Sequence, residues 1–470
     1  MTPNPLLPCH RSRARVVARL GAACLTIATA ALGAAGVAQA QAAKSDSLTW
    51  NGITLYGIVD IGVQYDTHGT PFSDYFPPGS ESIILKNSNA SAVGVTPSNL
   101  GQSRIGLSGN EPLVGDWAGV FKFEIFFNPQ SGNISDALKS IALNNGKALT
   151  DQTTNVDSSI AGQLFGGVAY AGFSSPTYGT FTFGRNTTPL ADGIGKYDPL
   201  SASNAFSLIG FSGTTAGGGD TEDRRLDQSL KYAAKYNWLH LGGLYQFSGS
   251  NGTANTAYQL QAGADFPGGS IDAYITKKYD AIGASALNLA QTQALPALGL
   301  SASNSVAGTV SDNKSFAIMG LYDVGSLKLL GGYERIKFDN PRTPLAVGSL
   351  TIGGYALGAV NNAAFTNEKT LKVYWIGFRY PLTPSLQLLA SFYGYTQDAF
   401  ATGANAGCSS TVSAACSGKE RAYSAVLDYR LSKRFDVYFG ALSTSVSDGL
   451  ANGFLNTSMI ATTAGLKFVF

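Results

Sequence analysis

The sequence predicts an all-β protein: a 16-stranded antiparallel transmembrane β-barrel with short periplasmic turns and long extracellular loops. Three observations predict this fold. The composition is rich in Gly, Tyr and Phe, short segments alternate apolar and polar residues, and the connections between them are alternately short and long. Beyond the N-terminal segment, no apolar run reaches the roughly 18–20 residues of a membrane helix. Inside a bilayer the remaining way to pair every backbone amide is a closed barrel.

The composition excludes several classes of protein. The 470 residues include 56 Gly, 22 Tyr and 25 Phe but only 3 Met, and 13% are charged. That charged share is about half of the usual one, which argues against a disordered chain and against a helical cytosolic enzyme. Counted without the four Arg of the N-terminal segment, 32 − 4 = 28 basic residues face 30 acidic ones, a net charge of −2. This balance indicates no nucleic-acid partner.

Residues 1–40 have the three parts of a secretory signal peptide. The basic region ends at Arg19, an apolar run follows from Leu20 to about Val37, and Ala38-Gln39-Ala40 supplies the small-x-small cleavage site. We therefore expect export, a mature chain that begins at Gln41, and one domain over residues 41–470. The alternative is an N-terminal membrane anchor, against which the polar stretch after the cleavage site argues.

Removal of this segment leaves two cysteines, Cys408 and Cys416, in a polar stretch rich in Gly, Ala, Ser and Thr. In an oxidising compartment such a pair favours a disulfide that closes a small loop. A metal site is the alternative, but no His or acidic cluster lies beside the two cysteines. The expected bridge stiffens a loop and performs no chemistry.

The first predicted strand shows the alternation over 14 residues. From Ile53 to Asp66 one face is almost wholly apolar and the other carries Thr, Asp and Gln. This length exceeds the usual five or six residues of a strand in a globular protein. The same period of two recurs at Ala118–Phe127, Glu420–Leu431 and Phe435–Ala441. The stretches Lys314–Tyr322 and Glu368–Tyr380 alternate poorly, and only their spacing predicts strands there.

The connections indicate a membrane barrel more sharply. Seven short turns are predicted, at residues 112–116, 174–179, around 237, 266–269, 323–325, 381–385 and 432–434. Eight long loops are predicted, at about 67–102, 128–162, 189–224, 248–256, 280–313, 339–367, 397–418 and 445–456. Strict alternation places all long loops at one end, as in a transmembrane barrel. A soluble β-solenoid or an adhesin sandwich is the alternative, but no fixed-period repeat supports a solenoid.

Several of these segments resemble the trimeric porins of β-proteobacteria. Leu55-Tyr56-Gly57-Ile58-Val59-Asp60 resembles their first strand, and Ser103–Gly109 (SRIGLSG) is similar to the second. Thr180–Asn186 (TFTFGRN) resembles the fifth strand with its Gly-Arg pair. Arg225–Tyr232 (RLDQSLKY) resembles the sixth, with Gln228 where the family usually has Asn. The chain ends on Leu466, Phe468 and Phe470, like the C-terminal strand that the outer-membrane assembly machinery recognises.

The resemblance implies a homotrimer in the outer membrane, in contact with lipid and lipopolysaccharide, with a water-filled lumen. It also implies that the third long loop, residues 189–224, folds into the lumen and narrows it. Acidic residues of that loop would then face wall arginines across the constriction. The acidic residues are Asp192, Asp198, Asp220, Glu222 and Asp223, and the arginines that match the family are Arg104, Arg185 and Arg225.

Strand parity supports some of these assignments and conflicts with one. Arg104 shares a face with Gly106 and Ser108, opposite two apolar residues, and is therefore expected to point inward. Arg225 shares parity with polar residues, although Arg224 could take its place. Strict alternation instead places Arg185 on the apolar face, unless Gly184 bulges or ends the strand.

Wall lysines are expected to add positive potential to the lumen. Lys122, Lys231 and Lys235 lie on the polar faces of their strands. With the arginines they outnumber the loop acids that we expect to face them, which favours a weak preference for anions. For each of these charges the alternative is a wall or loop residue that takes no part in transport.

Catalysis is not expected, and no cofactor or metal is implied. The mature chain has only His68, in a long loop, and His240, next to a short turn, and both are expected to be surface histidines. No phosphate-binding loop, dinucleotide fingerprint, CxxC or HExxH motif occurs. The expected function is passive diffusion of small hydrophilic solutes and ions. The alternatives are a substrate-selective channel for organic anions, which aromatic residues along one lumen wall would favour, and a plugged barrel with a structural or adhesive role.

Overall fold

The computed structural model describes residues 48–77, 90–154, 159–209, 224–248, 256–365, 367–403, 414–451 and 455–470. Sixteen strands in these residues form a closed antiparallel barrel, which confirms the predicted fold class. Several positions singled out from the sequence lie outside the described residues and stay predictions, namely the signal segment 1–40, Cys408, Asp220, Glu222 and Asp223.

The strands follow one another round the wall in chain order, and each pairs antiparallel with the next. They are β1 (Ile53–Asp66), β2 (Arg104–Pro112), β3 (Ala118–Asn128), β4 (Ala169–Ser175), β5 (Gly179–Thr187), β6 (Arg225–Tyr236), β7 (Leu239–Gln246), β8 (Ala257–Phe266), β9 (Gly269–Ser285), β10 (Ser305–Val324), β11 (Leu327–Asp339), β12 (Lys369–Pro381), β13 (Leu386–Gln397), β14 (Gly418–Arg430), β15 (Phe435–Asp448) and β16 (Ser458–Val469). Four short strands lie outside this set, at Thr49–Trp50, Ala92–Pro97, Asn133–Ile134 and Ala356–Asn361.

The connections alternate as predicted. Seven short turns join the strands at one end, and eight long loops join them at the other. The strands placed by spacing alone are present as β10 and β12. Within the described residues, the long loops carry three helices, α1 (Ala137–Leu143), α2 (Pro189–Tyr197) and α3 (Leu289–Ala294). Among the described residues, no helix is both long enough and apolar enough to cross a membrane.

The prediction of a loop over 280–313 is wrong at both ends. The strand β9 continues to Ser285 and β10 already begins at Ser305. A bulge after Lys278 interrupts the ladder, and pairing then resumes and continues to the end of β9. Ala, Gly and Ser fill most of this extension, so that no apolar alternation reveals it in the sequence. The sixth loop adds the strand Ala356–Asn361, which pairs parallel with the start of β10.

The second, fifth and sixth loops contact one another at the long-loop end. Leu138 and Ile141 of α1 pack with Val306 and Leu357. The amide nitrogen of Asn145 donates to two carbonyl oxygens of the fifth loop and its strand, at 2.8 and 2.7 Å. These loops therefore form a common packed structure at this end of the barrel.

Alternation gives the wall two different faces. On β9, Ile271 and Ile275 point outward and are 41% and 53% exposed, whereas Asp272 and Tyr274 are buried inside. The outer face is thus apolar, as lipid contact requires, and the inner face is polar and aromatic.

The barrel closes where β16 pairs with β1, from Ile58↔Val469 to Asp66↔Ala461. The C-terminal residue extends this seam, because the backbone of Phe470 exchanges two hydrogen bonds with Gly57, at 3.0 and 3.1 Å. The ring of Phe470 covers Gly57 so closely that a Cβ atom there would lie 2.3 Å from a ring carbon. A glycine is therefore required at this point of the seam.

Gly57→Ala is expected to lower the temperature at which the folded barrel unfolds in SDS gel electrophoresis. The added methyl group would collide with the Phe470 ring and lie 2.7 Å from the carbonyl oxygen of Arg104. Such overpacking costs about 1–3 kcal/mol. Gly119→Ala on β3 is the matched control, because the nearest atom to its new Cβ is 3.8 Å away. Equal unfolding temperatures for the two variants would contradict a tightly packed seam.

Candidate functional site

The third long loop turns into the barrel at α2. Thr188 caps this helix, because its hydroxyl accepts from the amide of Ala191 at 3.1 Å. Pro189 occupies the first turn, and Asp192 lies there as well. A capping hydroxyl, an early proline and an early acid are the features that start a helix.

One face of α2 is completely buried against the inner wall. Leu190, Ile194 and Tyr197 have no exposed surface. Their cluster includes wall residues of β9, β10, β12 and β13, namely Tyr274, Met319, Trp375, Tyr393 and Tyr395. Asp192, Gly195 and Lys196 lie on the exposed side of the helix. The loop therefore fills one side of the lumen and presents a charged face to the rest.

Hydrogen bonds from the wall hold the loop after α2. The indole of Trp375 donates to the carbonyl of Tyr197 at 3.1 Å. The guanidinium of Arg379 donates to the carbonyls of Asp198 and Pro199, at 2.6 and 2.8 Å. Side chains of the wall therefore hold the backbone of the loop, in addition to the packing of its apolar side chains.

Asp198 does not face the open lumen, contrary to our expectation. Its side chain is fully buried and accepts from the hydroxyl of Tyr393 and the amide of Ala202, both at 2.6 Å. Burial raises the pKa of this carboxyl, and the donated hydrogen bonds partly offset that rise. A carboxylate with these partners anchors the loop to β13 and is not available to a passing solute.

On the opposite wall, Arg104, Lys122 and Glu124 form a cluster. Arg104 points inward as its strand parity predicts, and its Nε lies 3.5 Å from Oε1 of Glu124. The ammonium of Lys122 lies 3.2 Å from the same oxygen, and the hydroxyl of Tyr56 donates to it at 3.0 Å. The two cations are about one-third exposed, whereas the carboxylate that they share is buried.

Arg185 reaches the inside of the barrel through a bulge. The register with β6 shifts between Gly184 and Asn186, and Gly184 has a φ of 131°, which disfavours any side chain. The Arg185 guanidinium donates to the carbonyls of Gly166 and Gly167 at 3.0 Å, and to Asp227 at 2.6 Å. It is only 6% exposed. Arg185 thus ties the second loop to the wall and is covered from solutes.

Arg225 lies beside this group on β6. Its guanidinium carbon is 4.6 Å from the ring centre of Phe126, and one of its nitrogens donates to the Ser159 hydroxyl at 3.2 Å. Arg224 instead donates to the carbonyl of Ala191 in α2, at 3.4 Å. Arg225 therefore lies on the inner wall of the barrel, and Arg224 contacts the third long loop.

The lysines expected on the inner wall divide into two groups. Lys231 forms an ion pair with Asp192 of α2 and donates to the carbonyl of Thr187 at 2.9 Å. Lys235 forms an ion pair with Asp265 near the short-turn end and is 61% exposed. Lys231 therefore connects strand β6 to α2 of the inserted loop, whereas Lys235 does not contact that loop in the described residues.

His240 is not the surface residue that we expected. Its Nε2 lies 3.0 Å from Asp265 and its Nδ1 lies 3.3 Å from Asp272, and its side chain is only 12% exposed. The inner-wall parity of β7 places the ring between these two carboxylates. His68 contacts the neighbouring Thr67 hydroxyl at 3.3 Å.

Three site residues were missed from the sequence: Glu124, Asp227 and Arg379. Glu124 and Asp227 lie on the polar faces of their strands, two residues from the expected cations Lys122 and Arg225 respectively. Arg379 lies at inner parity with Trp375, which could have marked it. Cys416 is buried and disulfide-bonded, whereas the pairing with Cys408 stays a prediction.

Comparison with known proteins agrees with this architecture. The sequence model of the Gram-negative porin family matches residues 28–449. The chain belongs to this family. The porin is 26% identical to an outer membrane porin protein of Bordetella pertussis over 386 residues, which cover 78% of this chain and 84% of the relative. It is 25% identical to outer membrane porin protein 32 of Delftia acidovorans over 334 residues, covering 71% and 74%.

Solved structures show the same fold. The anion-selective porin from Comamonas acidovorans matches with a TM-score of 0.58 at 17% identity, covering 89% of this chain and 99% of that one. OmpT of Vibrio cholerae matches with a TM-score of 0.53 at 13% identity, covering 91% and 100%. This protein is thus a porin of the outer membrane, a water-filled channel for passive diffusion of small hydrophilic solutes and ions.

Gly193→Ala is expected to displace α2 from the wall. The new Cβ would lie 2.3 Å from the Tyr274 hydroxyl and 3.0 Å from the sulfur of Met319. We expect a lower unfolding temperature and an altered single-channel conductance, with a cost of about 1–3 kcal/mol.

Gly195→Ala in the same helix is the matched control. Its Cβ would meet no atom within 4 Å, so that the usual helix preference for Ala applies, worth about 0.5–1 kcal/mol in the stabilising direction. If Gly193→Ala behaved like this control in both measurements, α2 would not be packed against the wall as described.

Proposed function

We propose that passage through this porin is limited by a constriction between α2 and a charged part of the wall. We define the basic wall as the four inner residues Arg104, Lys122, Arg225 and Lys231. A solute passes between Arg104, Lys122 and Arg225 on one side and the exposed face of α2 on the other, and the contact of Lys231 with Asp192 bounds this passage. The opposed charges produce a transverse field, and low-dielectric walls strengthen it.

The basic wall supports a weak preference for anions. Its four cations are accompanied by two carboxylates, Glu124 and Asp192, so that the net charge of the group is 4 − 2 = +2. The single observation that carries the proposal is that Arg104 and Lys122 cover the carboxylate of Glu124 and shield it from the lumen. That side chain is 6% exposed, whereas Arg104 and Lys122 above it are 32% and 35% exposed. Solutes therefore meet the cations and not the carboxylate.

A substrate-selective channel for aromatic or organic anions finds less support. Aromatic residues do line one inner wall, as that alternative requires. Yet Tyr274, Trp375 and Tyr393 are at most 3% exposed, because α2 and the loop after it cover them. These rings hold the loop in place, and the open side of the lumen offers charges instead.

Further proposals concern processing, assembly and partners. We propose that residues 1–40 are removed on export and that the barrel assembles as a homotrimer. The outer-membrane assembly machinery is proposed to recognise the C-terminal strand that ends at Phe470. Lipid and lipopolysaccharide surround the barrel in this proposal, and transport takes place without catalysis.

Arg104→Ala is expected to shift the selectivity toward cations. The substitution removes one cation and uncovers Glu124, so that both effects have the same sign. The anion-to-cation permeability ratio, measured from the reversal potential in a planar bilayer under a salt gradient, should fall by at least about twofold.

Lys433→Ala is the control, because it removes the same charge from an exposed periplasmic turn. Its permeability ratio should equal that of the wild type. An unchanged ratio in Arg104→Ala would refute the role of the basic wall. Absence of any conductance in the wild type would instead favour a plugged barrel, and a small conductance blocked by one solute would favour a substrate-selective channel.

A further inference from the structure

The outer surface of β11 to β14 carries a cluster of cations close to the long loops. Arg335 lies directly opposite Lys372, Lys372 opposite Thr396, and Thr396 opposite Lys419. Arg421 lies two residues further along β14, opposite Gly394. We name Arg335, Lys372, Lys419 and Arg421 the outer basic patch. It spans three inter-strand spacings, about 14 Å at about 4.8 Å each.

The side chains of the patch point away from the lumen. Their strand neighbours on each side, Glu334, Val373 and Glu420, are at most 1% exposed and face inward. The outward parity of the patch continues into Tyr333, Tyr374 and Tyr423, which are 37%, 36% and 58% exposed. The patch is therefore part of the surface that contacts the membrane and takes no part in the channel.

The patch lies at the border of the apolar band. On β12 the outward residues below Lys372 are Tyr374, Ile376, Phe378 and Tyr380. Tyr380 is eight residues from Lys372, about 26 Å along the strand. Because strands of such barrels are tilted by roughly 40°, this corresponds to about 20 Å of height, which is most of the roughly 25 Å lipid-facing band. The four cations thus lie where lipid headgroups begin, above a row of tyrosines.

The cations are not neutralised within the described residues. Lys372 has one acidic partner, Asp398, with Nζ 2.8 Å from Oδ2. Arg335, Lys419 and Arg421 have none in the part of the chain that the structure describes. The net charge of the four cations and their one acidic partner is therefore 4 − 1 = +3. Cations placed directly opposite each other on a sheet repel, and an anion from outside the protein removes that repulsion.

Neighbouring lysines on the same rim differ from the patch, because each of them has an acidic partner. Lys314 and Lys337 share the carboxylate of Glu368, and Lys314 also lies 3.7 Å from Asp339. Lys277 lies 3.6 Å from Asp312, so that three lysines face three carboxylates. Charge is therefore balanced internally toward β9 and left unbalanced toward β14. The imbalance marks one side of the barrel and is not a general property of its rim.

We propose that the outer basic patch binds the phosphate groups of an acylated, phosphorylated glycolipid of the outer leaflet. Arginine and lysine supply the charge-assisted hydrogen bonds that phosphate oxygens accept. The acyl chains of the lipid lie on the apolar band below, against Ile376, Phe392 and Tyr423. The inference deepens the proposed lipopolysaccharide contact by giving it a place on the barrel, and it is independent of the basic wall in the lumen.

The test uses the full mature barrel, refolded without lipid into maltoside micelles. The triple variant Arg335→Gln/Lys419→Gln/Arg421→Gln is compared with wild type for binding of bisphosphorylated lipid A by native mass spectrometry. We expect the variant to bind at least about tenfold more weakly, since each basic residue near a charged lipid surface contributes. Lipid A with both phosphates removed should bind wild type and variant equally weakly.

The control removes three cations at the opposite rim. Arg430→Gln/Lys433→Gln/Arg434→Gln carries the same change in charge at the exposed periplasmic end of β14 and its turn. It should bind bisphosphorylated lipid A like wild type. Single-channel conductance serves as the separate readout of the channel and should be unchanged in the patch variant.

Three outcomes would overturn the inference. One is equal binding of bisphosphorylated lipid A by wild type and patch variant. Another is full competition by millimolar inorganic phosphate, which would make the site one for the free anion. The third is a changed oligomeric state with unchanged lipid binding, which would make this face an interface between copies of the chain. None of them concerns the lumen, so that the proposed constriction stands or falls separately.

Discussion

The pairing of backbone amides inside a bilayer is the constraint on which the rest of this structure depends. With no water to replace a missing partner, every strand must be paired on both sides, and a sheet achieves this only by closing on itself. Here the last pairing joins β16 to β1, and the backbone of Phe470 extends it to Gly57. Closure then imposes a lumen, because sixteen strands enclose more space than wall side chains fill.

The interior of the barrel has a packed side and an open side. On the packed side, α2 and the loop after it cover aromatic residues of β9 to β13, and wall donors such as Trp375 and Arg379 hold the loop carbonyls. On the open side, cations of β2, β3 and β6 stay partly exposed. The same insertion therefore supplies packing that the barrel otherwise lacks and narrows the path of solutes.

Charge is organised by the alternation of the strands. Glu334 and Glu420 face inward, whereas the adjacent Arg335 and Arg421 face outward. One period-two pattern can thus serve two surroundings, an aqueous lumen and a lipid headgroup layer. Inside, a buried carboxylate such as Glu124 is shared by two cations. Outside, the patch on β11 to β14 has one acidic partner in the described part of the chain, Asp398, and the proposed lipid phosphate supplies the missing charge.

Strand number, strand order and the inward direction of Arg104 could be predicted from the sequence, because alternation and turn residues act over neighbouring positions. The inward direction of Arg185 could not be predicted, since it depends on the bulge at Gly184. The burial of Asp198 could not be predicted either, because its partner Tyr393 is 195 residues away along the chain. The extension of β9 and β10 consists of small residues without an apolar pattern, so that pairing alone makes it a strand. Local periodicity specifies which face a residue takes, but the partners that bury a charge are brought near only when the barrel closes around its third loop.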